Sequence, residues 1–309
     1  MKRNLLLTIL LMLALVAATA ASRKGPKPKA NHVVLIGIDG WGAYSVPKAH
    51  DIPNIKYFMD NGCYTLTDRS VLPSASAINW ASMFMGVPTE MHGYTQWDSK
   101  LPEIPSVVTN ADNIPPTIFS AVREQMPAAE TGCLFEWDGI KHLVDTLAIS
   151  YVAQAVNCDK DPQELSRMAA EYIKAKKPQF VAVCFDQVDH TGHAVGHDTP
   201  EYYNTLASVD KQIGTIVEAV KAAGIWDDCI FILTADHGGI DKGHGGKTLQ
   251  EMQIPFIVWG KGVKQGGRIT ETMMQYDCAA TIAICLGVKP APSWRGKAPQ
   301  SAFKYKYRI

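Results

Sequence analysis

Aspartate and histidine side chains cluster just after three apolar runs of the sequence. In chain order they are Asp39, then Asp186, Asp189, His190, His193 and His197, and then Asp236, His237 and His244. The carboxyl ends of parallel strands meet at one edge of an open α/β sheet, where such folds bind their ligands. Carboxylates and imidazoles bind divalent first-row metals such as zinc, so the pattern predicts a metal centre at that edge.

A serine that can act as a nucleophile lies in the stretch from Leu72 to Gly86, LPSASAINWASMFMG. Pro73 interrupts the chain there, and the small residues Ser74 and Ser76 precede a run that is compatible with a helix. A serine in this position lies at or near a helix N-terminus, where free N–H groups and the helix dipole favour anions. The alternative is that one of the two serines only caps the helix.

Alternating strand and helix patterns must position these residues. Short continuous apolar runs predict buried parallel strands at His32–Ile38, Gln179–Phe185, Cys229–Leu233 and Pro255–Trp259, with weaker candidates at Thr131–Phe135 and Ala148–Val152. Capping signals and apolar stripes predict helices at 161–173, 199–224 and 277–286. This alternation predicts an α/β fold with a mostly parallel central sheet that is sandwiched by helices.

Composition excludes several classes of protein. The 309 residues are 47% hydrophobic and 19% charged, which is typical of a globular chain with a sizeable core and not of a disordered, collagenous or coiled-coil protein. The 30 basic and 30 acidic residues balance, so the net charge indicates no nucleic-acid or anionic-lipid partner. The sequence leaves the oligomeric state open.

The N-terminus has the pattern of a secretory signal peptide. Lys2 and Arg3 precede an apolar run at Leu5–Val16, and Ala18-Thr19-Ala20 fits the small-x-small cleavage rule. The apolar run is shorter than the roughly 18–20 residues that cross a bilayer. We therefore expect a signal peptide at 1–20, a linker at 21–31 and a single domain at 32–309. The mature protein is then secreted or periplasmic and has no membrane span.

The number and spacing of the cysteines predict their state in the folded protein. The seven cysteines are odd in number and include no C-x-x-C, so they predict no cysteine metal site, and Cys184 and Cys229 are expected to be buried thiols. Cys133 and Cys158 are a candidate disulfide pair, since export permits disulfides.

Residues 93–130 are rich in proline and lack periodicity, which predicts an irregular insertion that serves as a cap or lid.

Taken together, the motifs resemble the alkaline phosphatase superfamily, and most closely its type I phosphodiesterase/nucleotide pyrophosphatase branch. The matching segments, in the order of the family, are Asp39-Gly40, Pro53-Asn54 with Gly62, Pro73–Asn79 with Met85-Gly86, Pro88–Gly93, Asp189–His193, Thr234–Gly238 and Gly243–Gly245. The resemblance extends from Val33 to about Gly260 and implies an alkaline-phosphatase-like fold.

The resemblance also implies two zinc ions and a covalent mechanism. The implied ligands of one ion are Asp39, Asp236, His237 and the hydroxyl of Ser76, and those of the other are Asp189, His193 and His244. Ser76 is the implied nucleophile, which attacks phosphorus in line and forms a phosphoryl-serine, and Asn79 is the implied donor to a phosphoryl oxygen. His190 and His197 remain alternatives to His193, and Asp186 remains an alternative to Asp189. His92 is expected to be structural.

The chain departs from the family pattern close to the nucleophile. Ser76 stands where threonine is usual, Ile78 replaces a proline, and Ala77 replaces an aromatic residue that often lies near a nucleobase. A preference for nucleotides is therefore not implied. Other aromatic residues near the motifs can stack on an organic leaving group or pack in the core: Trp41, Tyr44, Trp80, Tyr94 and Trp97.

The leading hypothesis is therefore a secreted two-zinc hydrolase of small phosphate esters, with diesters or pyrophosphates as substrates. The alternative is an alkaline phosphatase, but a monoester carries an extra charge that calls for another cation, and only Arg69 and Arg123 are candidates. A sulfatase requires [CS]-x-P-x-R, whereas this chain has Ser76-Ala77-Ile78-Asn79-Trp80. A catalytically silent binding protein has no reason to keep a complete set of clustered charges. Lipid-headgroup transfer in a membrane is disfavoured because the mature chain has no span.

Overall fold

The computed structural model describes residues 30–111 and 113–304. The expected signal peptide at 1–20 and residues 21–29 of the expected linker lie outside these ranges. Within them, no helix combines the length and the apolar character that crossing a bilayer requires.

A single eight-stranded sheet forms the centre of the described chain. Its strands are β1 (His32–Ile38), β2 (Cys63–Arg69), β3 (Thr131–Phe135), β4 (Tyr151–Gln154), β5 (Phe180–Phe185), β6 (Cys229–Thr234), β7 (Gln253–Gly260) and β8 (Gly267–Arg268). They are arranged in the order β4-β3-β5-β1-β6-β7-β2-β8. Only β7 runs antiparallel to its neighbours, β6 and β2, so the sheet is mostly parallel, as the sequence predicts.

Helices cover both faces of the sheet. They are α1 (Pro53–Asn61), α2 (Ser76–Met85), α3 (Thr89–His92), α4 (Ile118–Gln125), α5 (Glu164–Lys176), α6 (Gln187–Val195), α7 (Pro200–Ala222), α8 (Leu249–Met252) and α9 (Asp277–Leu286). One core contains α2, α4 and α9, and the other contains α1, α5 and α7. Along β1, Val33 and Leu35 point into the first core, whereas Val34 and Ile36 point into the second. Because both faces are buried, the strand reads as one apolar run.

The apolar runs locate the strands well but do not reveal the direction of β7. The predicted bounds of β1, β3 and α9 are those of the structure, and β4, β5 and β6 differ by one to three residues at an end. The expectation that β7 is parallel is wrong, because β7 pairs antiparallel with β6. The apolar pattern could not reveal this, since a strand that is buried on both faces is apolar in either direction. The sequence analysis missed β2, because Thr65, Thr67 and Asp68 make it polar.

Cys133 and Cys158 are both free thiols. The expected pairing of Cys133 with Cys158 is wrong because the two lie on opposite sides of the sheet. Cys133 belongs to the core that contains α2, and Cys158 packs against the core that contains α5. Cys184 and Cys229 are buried in strands, as expected.

The segment predicted as an irregular insertion divides into two parts. Its described residues up to Thr117 contain turns and no helix or strand. The second part forms α4, and Ile118, Phe119 and Val122 of this helix are fully buried in the core. α4 therefore belongs to the core, although the sequence analysis assigns its residues to the insertion. A lid role for the first part stays a prediction.

Substituting Phe119 tests whether α4 belongs to the core. The Phe119 ring lies 4.8 Å from that of Phe180 and 5.9 Å from that of Phe84, measured between centroids. We expect Phe119→Ala to lower the free energy of unfolding by about 3–5 kcal/mol, because a buried aromatic leaves a cavity. Chemical denaturation monitored by circular dichroism measures this. Leu147→Ala, at a side chain that is 78% exposed, is the control, and equal stability of the two variants would contradict the packing described here.

Candidate active site

Adjacent parallel strands bring three acidic residues to one edge of the sheet. β1 lies between β5 and β6, and Asp39, Asp189 and Asp236 follow these three strands. The turn after β1 requires glycine. Gly40 has φ +68°, and a Cβ atom there would lie 2.7 Å from the Cβ atom of Asp189. Strand order and this close approach together place the carboxylates side by side.

The first cluster consists of Asp39, Asp236 and His237, all of them buried. Nε2 of His237 lies 3.3 Å from Oδ1 of Asp39 and 3.2 Å from Oδ2 of Asp236. The hydroxyl oxygen of Ser76 lies 3.2 Å from the same Nε2 atom. Ser76 is therefore at the first cluster, whereas the hydroxyl of Ser74 donates to the carbonyl of Gly246.

The second cluster consists of Asp189, His193 and His244. Nε2 of His193 lies 3.1 Å from Oδ2 of Asp189 and 3.1 Å from Nε2 of His244. Asp189 and His193 are one turn apart on α6, so their spacing of four residues places both on the same face of the helix. The two clusters are neighbours, because the rings of His237 and His244 stack with centroids 3.8 Å apart.

Backbone carbonyls set the tautomer of the three cluster histidines. Nδ1 of His237, His193 and His244 lies 2.8, 2.9 and 3.1 Å from the carbonyl oxygens of Gly238, Lys242 and Ser74, respectively. A carbonyl only accepts, so each Nδ1 carries the proton and donates it. Nε2 then faces the cluster, and in the neutral ring it carries the lone pair that binds a metal.

Burial makes the carboxylates costly unless a cation is present. It raises the pKa of Asp39 and of Asp236 well above the usual range, and the charge of Asp189 raises both further. Oδ1 of Asp39, Oδ2 of Asp236 and Oδ1 of Asp189 are buried without a hydrogen bond from any described residue. Burial also lowers the pKa of His237 to about 3, which keeps this ring neutral. The orphaned oxygens and neutral imidazole fit a divalent metal such as zinc.

Neighbouring donors orient the carboxylates. The indole N–H of Trp80 donates to Oδ2 of Asp39 over 2.9 Å. Oδ1 of Asp236 accepts from the amides of Gly40 and His237. The sequence analysis considered Trp80 only as a stacking residue. Its position four residues after Ser76 on α2 is the signal that was missed, because one helix then carries both the serine and the partner of Asp39.

Asn79 bonds within the loop that leads into α2, and its expected hydrogen bond to a phosphoryl oxygen stays a prediction. Its side chain is fully buried, and its amide nitrogen donates to the carbonyls of Val71, Pro73 and Ala75 over 3.1–3.3 Å. Its amide oxygen accepts from the amide of Val71. These bonds hold the loop that leads into α2.

The alternative ligand residues Asp186, His190 and His197 belong to neither cluster. Asp186 and His190 line a cleft of about 640 Å³ whose lining includes neither Asp189 nor His193. His197 is buried and contacts Oδ1 of Asp189 at 3.4 Å, outside both clusters. His92 is buried and hydrogen-bonded to Ser82 and the amide of Tyr94, so it is structural, as expected.

The side chains that were proposed to contact the substrate differ in their exposure and in their hydrogen bonds. The guanidinium of Arg123 donates to the carbonyls of Pro127, Ala129 and Ala148 and to the hydroxyl of Ser150, so its hydrogen bonds are used within the fold. Trp41, Trp80 and Tyr94 are buried. Trp97 is 59% exposed, and its carbonyl accepts from the amide of Ala77, next to Ser76. Trp97 is therefore the most exposed of the five aromatic residues, and Tyr44 is partly exposed.

Comparisons of sequence identify related proteins. The chain is 25% identical over 218 residues to bis(5'-adenosyl)-triphosphatase enpp4 of Mus musculus, covering 68% of this chain and 47% of that protein. It is 26% identical over 274 residues to GPI ethanolamine phosphate transferase 1 of Gibberella zeae, covering 78% of this chain and 27% of that protein. The chain thus spans less than half the length of these curated relatives.

Solved structures share the fold. Murine ectonucleotide pyrophosphatase/phosphodiesterase 5 is similar with a TM-score of 0.67 and 16% identity, covering 84% of this chain and 96% of that chain. A 2-O GAG sulfatase is similar with a TM-score of 0.70 and 14% identity, covering 87% of this chain and 73% of that chain. The model of one sequence family, type I phosphodiesterase/nucleotide pyrophosphatase, matches residues 33–248, which include both clusters and Ser76. The chain therefore belongs to the type I phosphodiesterase/nucleotide pyrophosphatase family of the alkaline phosphatase superfamily.

Proposed function

We propose that this protein is a two-zinc hydrolase of small phosphodiesters or pyrophosphates, with Ser76 as the nucleophile. The observation that carries the proposal is the position of Ser76, whose hydroxyl lies 3.2 Å from Nε2 of His237 within the first cluster. Membership of the family and the name of the triphosphatase relative support phosphate esters and anhydrides as the substrate class. The signal-peptide pattern at 1–20 supports export of the enzyme.

The two clusters divide the ligands between two metal sites. Asp39, Asp236, His237 and Ser76 would hold one ion, and Asp189, His193 and His244 the other. Two zinc ions, when bound, favour the ionised serine and stabilise charge on the attacking and leaving oxygens of an in-line displacement. The inward-facing Nε2 atoms and orphaned carboxylate oxygens are the donors that this arrangement needs.

The chain itself prepares Ser76 for attack. Ser76 is the first residue of α2, a helix of ten residues; the amide of Ala77 donates to the carbonyl of Trp97, and the first-turn amides of Ser76 and Ile78 have no acceptor within the helix. These amides and the helix dipole favour the negative oxygens of a phosphoryl group. Attack by the Ser76 oxygen forms the Oγ–P bond, and the bond from phosphorus to the leaving oxygen breaks. Water then attacks phosphorus, the Oγ–P bond breaks, the remaining phosphomonoester is released, and the serine regains its proton.

The environment of the serine favours diesters over monoesters. A monoester brings one more negative charge and needs a further cation near the phosphate. Arg123, one of two arginines that the sequence analysis considered, is held by its own hydrogen bonds within the fold. The exposed ring of Trp97 suits an organic group on the second ester bond.

Replacing Ser76 tests the nucleophile. We expect Ser76→Ala to lower kcat on bis-p-nitrophenyl phosphate by roughly a thousandfold or more, because no other group takes the covalent step. Release of p-nitrophenol, followed with zinc and with a chelator, measures the loss. Ser208→Ala, on α7, is the matched control and should keep full activity. Activity that survives both the chelator and Ser76→Ala would refute the mechanism.

Comparing two chromogenic substrates tests the substrate class. We expect a higher kcat/KM for bis-p-nitrophenyl phosphate than for p-nitrophenyl phosphate, each assayed with zinc, since Arg123, one of the two candidate cations, is bonded within the fold. Trp97→Ala should raise KM for the diester severalfold, in line with the loss of a stacking contact. A preference for the monoester would make the protein an alkaline phosphatase.

Zinc binding should depend on pH through His193. In the metal-free protein, a hydrogen bond to Asp189 raises the pKa of His193 to about 9, whereas burial lowers the pKa of His237 to about 3. At pH 7 His193 is therefore protonated and must lose this proton when its Nε2 binds zinc. Affinity at the second cluster should rise roughly tenfold per pH unit between pH 7 and 9 and then level off.

Isothermal titration of zinc-free protein in buffers of different ionisation enthalpy measures this proton release. His193→Ala serves as the comparison, since it should bind one zinc ion fewer and release no proton from this position. Zinc affinity that is the same at pH 7 and pH 9 would contradict the assignment of His193 as a ligand.

A further inference from the structure

A short helix outside the two clusters contacts the loops of His237 and His244 and the chain that leads to Ser76. α8 (Leu249–Met252) precedes β7, and because β7 is antiparallel its first residues lie beside the end of β6, at the edge where the clusters form. The carbonyl of Glu251 accepts from the amide of Gly238, which follows His237, over 2.8 Å. The carbonyl of Met252 accepts from the amide of Ser70, on the chain that leads to Ser76, over 2.9 Å.

The side chain of Glu251 extends this set of contacts to the loop of His244. It is 5% exposed, and its Oε1 atom accepts from the amide of Gly246 over 2.7 Å. Its Oε2 atom accepts from the amide and hydroxyl of Thr248 over 3.1 and 2.5 Å. Burial raises the pKa of Glu251, but the hydrogen bonds from Thr248 and Gly246 outweigh it and lower the pKa, so the side chain is ionised at neutral pH.

Helix capping alone does not account for these contacts. The capping box of α8 requires only the reciprocal bonds between Thr248 and Glu251. The bond to Gly246 is additional, because Gly246 lies five residues before Glu251 and outside the helix. A Cβ atom on Gly246 would lie 2.6 Å from both carboxylate oxygens, so the backbone approaches the carboxylate as closely as only glycine permits.

The bond to Gly246 continues as a chain of hydrogen bonds to the second cluster. The carbonyl of Gly246 accepts from the hydroxyl of Ser74 over 2.7 Å, and the carbonyl of Ser74 accepts from Nδ1 of His244 over 3.1 Å. That last bond sets the tautomer of His244 and points its Nε2 towards Asp189 and His193. Ser74 lies two residues before Ser76, so the same chain also ties the nucleophile loop to the cluster.

We propose that Glu251 is a positioning residue that holds His244 in its metal-binding orientation and thereby sets the zinc affinity of the second cluster. This inference rests on the proposed function, since it assumes that Asp189, His193 and His244 bind zinc. Glu251 touches neither the metal nor the substrate and acts through Gly246 and Ser74. Partners that orient a metal ligand in this way commonly change metal affinity by 10- to 100-fold.

The test measures zinc affinity at each site of the full chain. Zinc-free protein is titrated with zinc against a chromophoric chelator, for the wild type, Glu251→Ala and Glu251→Gln. We expect one of the two sites to weaken roughly 10- to 100-fold in Glu251→Ala while the other is unchanged. Glu251→Gln should be intermediate, because an amide oxygen replaces only one of the two acceptors. Diesterase activity of the variants should recover as zinc is raised.

Thr117→Ala is the matched control. Thr117 and Ser120 form a second capping box, at the start of α4, so this variant loses a cap without touching either cluster. We expect its melting temperature to fall while both zinc affinities stay at the wild-type values. If Glu251→Ala and Glu251→Gln likewise melt earlier but bind both zinc ions as tightly as the wild type, Glu251 is only a cap and the proposal is wrong.

Gly246→Ala provides an independent variant should Glu251→Ala fail to fold. The added methyl group displaces the carboxylate, so we expect the same site to weaken, and the double variant with Glu251→Gln to show less than the sum of the two effects. Additive effects would overturn the proposed connection. A wild type that binds zinc at neither cluster would instead refute the proposed function, which separates the two failures.

Discussion

The burial of three carboxylates in one small volume is the constraint on which the rest of the structure depends. Burial raises the pKa of Asp39 and Asp236, and the nearby charge of Asp189 adds to it. Carboxylates that are this close repel one another and have lost their hydration, so they need donors and a cation. Trp80 and backbone amides supply the donors. The oxygens that they leave unpaired face inward, and the tautomers of the histidines follow from the same requirement.

The arrangement of the sheet is what brings the three carboxylates together. Three neighbouring parallel strands end at one edge, which accounts for Asp39, Asp189 and Asp236. The reversed strand β7 contributes from its opposite end, because its beginning lies at that edge. Its preceding helix therefore reaches the loops of His237 and His244, whereas a parallel strand would have placed that helix at the far end of the sheet.

The sequence was sufficient for the parts of the site that depend on strand ends and helical spacing. An apolar run followed by Asp39 marks both the strand and the ligand, and four residues from Asp189 to His193 make one helical turn. The sequence pattern does not predict contacts between segments that are distant along the chain. The pattern predicts that Asn79, three residues after Ser76, donates to a phosphate, but it does not predict the bonds of its amide within its own loop. The direction of β7 and the sides occupied by Cys133 and Cys158 depend on tertiary packing, which a local pattern does not record.

The pairing of β1 with β6 has a consequence for how this site comes into being. The amide of Gly40 bonds the side chain of Asp236, which lies 196 positions further along the chain. During synthesis Asp39 and Ser76 therefore emerge long before their partners, and a ribosome-bound chain that ends short of Asp236 cannot assemble either cluster. Such long-range pairing slows folding, because closing a long loop costs entropy before the contact forms. Neither cluster is therefore complete until most of the described chain has been synthesised.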